Sequence, residues 1–221
     1  LGTGAPPAAS EAALGTLVEE VVLVVGDAVV TRSDLELEAR VVLVGNGGLE
    51  AAFGPIDVET VRSVQSWLVN QLLIHAEAER LGVFEASSEE VEQALDAFRR
   101  RFGDEATWRR FLRSQDVGED RIAAILRRNI RVRRYLESRV KLTVQVSDED
   151  VAAFYERERS RFGDRSLDAV REVIRGYLFK QRYEASVRKL VRDLSSWADP
   201  RVLAEPRAFP GRELPIAPGG P

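Results

Sequence analysis

The stretch from Ser166 to Trp197 constrains this chain most. Ser166 is a side-chain cap for a helix start, and Asp199-Pro200 is a stop, because proline lacks the amide that a continuing helix needs. Between them lies one helix of about 31 residues, roughly 46 Å at 1.5 Å per residue and longer than a small domain is wide. Arg201-Val202-Leu203 then reads as one short strand, followed by a Pro-rich tail over 204–221.

The front of the chain is built differently. Residues 1–16 are small and Pro-containing and read as a tail. Val21–Val25 and Ala28–Thr31 are β-branched runs joined by Gly26-Asp27, a two-residue connection that permits a tight hairpin. The apolar run does not alternate, which predicts cover on both faces. Ser33-Asp34-Leu35-Glu36 reads as a capping box, Ser33 capping the helix start and Glu36 reaching back, with a helix to about Val44.

Helical periodicity dominates from there. GNGGLEAAFGP at 45–55 is a loop; it lacks the register and the preceding strand of a phosphate loop. Val61, Val64, Leu68, Leu72 and Ala76 mark an amphipathic helix over 58–81, closed by Gly82. Ser87-Ser88-Glu89-Glu90 is a second capping box, opening a helix with Val91, Leu95, Phe98 and Phe102 on one stripe. Shorter helices are predicted at about 105–114 and 119–140, and Ser147-Asp148-Glu149-Asp150 caps another that ends near Phe162.

The composition excludes several chemistries. Hydrophobic residues are 44% and charged residues 31% of 221, values of a folded chain. No apolar run exceeds five residues, against the ~20 of a membrane-spanning helix. With no Cys there is no disulfide, thiolate nucleophile or Cys-ligated metal. The single His, His75, has Glu79 four residues on but no second His to complete a metal pair. Carboxylates cluster at helix starts, where the macrodipole favours them. No catalytic residues, no metal and no cofactor are expected. Residues 121–141 carry eight basic residues against Glu137 alone. Because the net charge is -4 and the segment 85–96 is acidic, that helix reads as a solvated face or one attracting acidic partners, not as a nucleic-acid site. The opening LGTGAPPAAS resembles the linker after a removed secretory signal, and a Cys-free chain suits an oxidising compartment, so export is expected.

The order of segments resembles SurA-type periplasmic chaperones. The resemblance runs through VEEVVLVVGDAVVTRSDLE, VNQLLIHAEAERLGV, SSEEVEQALDAFRRRFG, VSDEDVAAFYERERSRFG and the closing SLDAVREVIRGYLFKQRYEASVRKLVRDLSSWADPRVL. It covers roughly Val18–Gly163 and Ser166–Leu203. Relatives of that type commonly carry parvulin-type prolyl isomerase domains before the closing helix; here only Gly163-Asp164-Arg165 spans the gap. The resemblance thus implies the chaperone module without the isomerase, no enzyme, and the periplasm as the place of export.

The expected fold is mainly α, a SurA N-terminal-like helical module with a small β-hairpin paired to a C-terminal strand and a long closing helix. Residues 17–163 form the helical core with its hairpin, and 164–203 complete the same domain. The groove left between the helices is expected to bind unfolded or extended polypeptides without ATP, outer-membrane protein precursors being the implied clients. Its candidate lining is Trp67, Phe84, Phe98, Trp108 and Phe111. The alternative is an assembly protein whose groove holds one dedicated partner or its own second subunit. The short Gly163-Asp164-Arg165 connection invites exchange of the closing helix between two copies, giving a homodimer.

Overall fold

In a computed structural model, residues 19–212 are described. Strand β1 (Val21–Val25) turns at Gly26, whose φ of 55° suits a residue without a side chain, and returns as β2 (Ala28–Thr31). The pairing is antiparallel, Leu23 opposite Val30 and Val25 opposite Ala28. On the other edge of β1 lies β3 (Arg201–Val202), also antiparallel, with Leu23 opposite Val202 and the Leu203 amide donating to the Val22 carbonyl at 2.9 Å. The order β2-β1-β3 joins the two ends of the chain, as expected. Cover on both faces is found for β1 and not for its neighbours. Val22, Leu23 and Val25 of the central strand are buried, but on the two edge strands Val29, opposite Val24, and Val202, opposite Leu23, are each 57% exposed, so cover is complete only along the middle of β1.

Among the described residues, seven α-helices follow the hairpin. They are α1 (Arg32–Gly45), α2 (Val58–Arg80), α3 (Ser88–Arg99), α4 (Glu105–Gln115), α5 (Glu119–Arg139), α6 (Asp148–Arg157) and α7 (Leu167–Ala198). Helices α3 and α6 start on the anticipated boxes, Ser87 with Glu90 and Ser147 with Asp150, and Ser166 caps α7. The first cap differs. Thr31, not Ser33, accepts from the Asp34 amide, and Asp34 reaches back to the Thr31 amide. The helix begins directly where β2 ends, which moves the box two residues earlier and frees Glu36 for another role.

Four packing regions organise the described residues, one of them formed by Ile74 and Ala78 of α2 with Val132 and Tyr135 of α5. The sheet, α1 and α2 share a core through Leu23, Leu35, Leu68 and Leu72, with Val191, Leu194 and Ala198 of α7 lying against it. A second core sits among α1, α3, α4 and α5, where Phe98, Phe102, Trp108 and Phe111 meet Val41 and Ile122. Helix α6 and the start of α7 make a smaller one from Val151, Phe154, Tyr155, Val170 and Ile174. Arg182 ties these last two helices together, bonding Asp150 and the Gln145 carbonyl at 2.5–2.8 Å, and holds the Asp150 carboxyl down to about 2. At 32 residues, roughly 48 Å, α7 runs from this satellite back to the sheet.

The stretch after β3 is a correction. Residues 204–212, the described part of the Pro-rich tail, are docked on the domain. Phe209 is 3% exposed in the first core, and its amide and carbonyl both bond Ile56, each at 2.9 Å. One aromatic anchor with extended backbone on either side is enough to bind the segment, so the domain extends past 203 to at least Arg212. The rest of the 204–221 tail and the 1–16 tail lie outside the described residues.

Candidate functional site

Because α7 is pinned at its two ends, its middle stands away from the helices beneath it. Between them is a groove of about 690 Å³, within the size range of ligand sites. Its floor is Val41 and Gly45 of α1, Trp67 of α2, Phe98 of α3, and Leu126 and Val132 of α5. Its roof is Phe179 and Tyr183 of α7, whose rings stack at 6.3 Å with 11° between their planes. Burial, with the nearby Glu137 carboxylate, pushes the Tyr183 phenol up. A second cavity of about 480 Å³ opens between α3 and α5. Gly45, Phe98, Leu126 and Arg133 line both, so the two form one trough.

Of the five aromatic residues expected at the groove, the structure brings two to it. Trp67 is half-buried on its wall, and Phe98 is buried beneath its floor with only an edge contributing. Trp108 and Phe111 are corrections. Both are 0% exposed, stacked at 5.9 Å, and part of the second core, with the Trp108 indole N–H donating to Glu119 at 2.7 Å. Helix α4 is short and amphipathic, so its whole apolar stripe is used to attach it. Phe84 is a third correction. At φ 60° it turns back onto Tyr135, 6.1 Å away edge to face, in a cluster outside the groove. Phe179 and Tyr183 were not among the expected residues. Their four-residue spacing on α7 was the available signal, since it places both rings on one face.

Much of the positive charge of α5 is consumed inside the protein. Arg121 pairs with Asp34, Arg128 with Glu38 at 2.6 Å, Arg131 with Glu79 at 3.5 Å, and Arg134 with Glu90. Arg131 and Arg134 also donate to the carbonyls of Val83 and Glu85, clamping the link between α2 and α3. The segment 85–96 therefore supplies one of these partners, Glu90, and α1 and α2 supply the others. Burial pushes the Glu38 carboxyl up, with Arg128 opposing it.

His75 lies among Glu79, Arg128 and Arg131, and burial lowers its imidazole below the usual value. Among the described residues, no group of three or more His, Cys, Asp or Glu side chains gathers as a metal would need, and no helix is long and apolar enough to cross a membrane. No protein-family model and no curated protein matches the chain. The trough under α7 is thus the feature from which function has to be argued.

Proposed function

We propose that this protein is a periplasmic, ATP-independent chaperone that holds unfolded or extended polypeptides, with outer-membrane protein precursors as candidate clients and without prolyl isomerase activity. The observation that carries the reading is the trough, open along its length and walled by Trp67, Phe179 and Tyr183. An open trough accepts a chain laid lengthwise and does not need to enclose it. Each apolar side chain seated there contributes roughly 1.5–3 kcal/mol, opposed by the ordering of the client, so affinity is modest and broad. The resemblance of the segment order to SurA-type chaperones supports the same reading.

The test is suppression of aggregation of a chemically denatured client, at near-stoichiometric ratio and with no nucleotide added. Absence of protection at every ratio defeats the reading. A proline-containing peptide assayed alongside is expected to isomerise at its uncatalysed rate.

A second reading, an assembly protein that seats a second subunit, is favoured by the exposed apolar group at the sheet end, where Trp197 is 88% and Val202 57% exposed. Exchange of α7 between copies belongs to this reading. Light scattering after size exclusion decides it, a constant monomer mass over a wide concentration range ruling it out.

A further inference from the structure

The geometry points to a client class for the trough: extended polypeptide segments in which apolar side chains alternate with carboxylates. This rests on the polypeptide-holding function proposed above and adds to it a selectivity. The ground is the charge distribution along the two joined cavities. Arg101 stands at the α3 end, Arg133 at the middle where both cavities share it, and Lys141 at the α7 end. None of the three makes an ion pair among the described residues, although the neighbouring Arg128, Arg131 and Arg134 all do. Two carboxylates line the trough: Glu90, already bound by Arg134, and Glu137, four residues from both Arg133 and Lys141, so the three cations exceed the one remaining carboxylate by two.

An apolar floor flanked by cations in excess over carboxylates is complementary to a segment carrying both kinds of side chain. The low-dielectric wall beneath them also strengthens the field that such cations project. Spacing adds a register. Arg133 and Lys141 are eight residues apart, about 12 Å at helical rise, which an extended chain covers in about four residues. Carboxylates at i and i+4 of a strand-like client share one face, and residues i+1 and i+3 present the other face to Leu126 and Phe98. Such a segment meets the cations with its acidic edge and the floor with its apolar one. The same two features also suit a single-stranded nucleic acid, whose bases stack on aromatic rings; the ion pairs that consume four of the seven α5 cations, and the overall charge of -4, favour the polypeptide.

The experiment is fluorescence anisotropy with a short labelled peptide alternating apolar residues with glutamates, against its counterpart with every glutamate replaced by glutamine. Three partly exposed ion pairs, each a factor of about two to three, multiply to about tenfold tighter binding of the glutamate peptide at low salt. That preference is expected to shrink with added salt, to shrink in the double variant Arg101→Gln, Arg133→Gln, and to persist in Arg192→Gln, an exposed cation outside the trough. Equal affinity for the two peptides, with both bound, overturns the acidic preference and leaves the holding function standing. No binding of either peptide overturns both. Displacement of the glutamate peptide by a single-stranded oligonucleotide of matched charge at equal or lower concentration overturns the assignment to polypeptide.

Discussion

Arg212 is hydrogen-bonded to Glu36, a residue 176 positions earlier, its Nε donating to Glu36 Oε1 at 2.8 Å. Arg40 completes the arrangement from α1. It is wholly buried, donates to Glu36 at 2.7 Å, and donates to the carbonyls of Ala51, Gly54 and Pro210 at 2.7–3.1 Å. One side chain thus joins α1, the loop after it and the segment that follows β3. Burial alone would raise the Glu36 carboxyl; the two guanidiniums hold it below its usual value.

Removing Arg40 leaves a buried carboxylate short of a partner and three carbonyls without donors. Arg40→Met is expected to cost about 3–5 kcal/mol in urea denaturation, the range for breaking a buried pair on one side. Arg212→Gln, at a partly exposed site with Arg40 still in place, is expected to cost about 1 kcal/mol. Equal losses for the two variants would contradict the central placement of Arg40.

Phe209 anchors a segment that composition alone presents as a tail. Phe209→Ala is expected to lower stability by about 3–5 kcal/mol, the usual loss for a buried phenylalanine. Deleting residues from Pro206 onward is expected to lower it at least as much, because the Arg40 and Arg212 bonds are lost as well. Unchanged thermal unfolding after either change would mean that the segment does not dock in solution.

His75 makes folding sensitive to mild acid. Burial lowers its folded pKa below the unfolded value of about 6.5, with Arg128 and Arg131 adding to the effect and Glu79 opposing it. The unfolded chain therefore binds the proton first. The contribution is present above about pH 6.5 and is lost as the pH falls below it towards the folded value. Denaturation midpoints between pH 7 and pH 5 are expected to fall in the native protein and to change less in His75→Gln.

Gly45 separates binding from folding. It lines both parts of the trough, and a Cβ built on it meets nothing within 4 Å. Gly45→Leu is expected to leave stability within about 1 kcal/mol, since leucine is the better helix former, while it fills the passage. Peptide affinity is expected to drop about tenfold or more by anisotropy. Trp108→Ala is the converse, with a loss of about 3–5 kcal/mol in stability from a fully buried indole.

Much of the architecture was legible because its signals are local. The capping boxes at Ser87 and Ser147, the Gly26-Asp27 hairpin and the Pro200 stop each act within a few residues, and each reads correctly. Thr31 displaced Ser33 as the first cap because two local signals overlap there and the end of β2 decides between them. The aromatic residues were harder. Periodicity shows that Phe98, Trp108 and Phe111 face inward, yet a core and a groove make the same demand for apolar residues at helical spacing.

Sequence alone determined where most helices start, the caps at Ser87, Ser147 and Ser166, and the hairpin, since propensity, capping and turn chemistry are properties of neighbouring residues; α6, expected to end near Phe162, ends at Arg157. Tertiary structure alone decided which aromatic side chains line the trough, which arginines of α5 are consumed in ion pairs, and that Phe209 and Arg212 close the fold. Those outcomes depend on distances between residues far apart in the chain, and such distances exist only after the helices have packed.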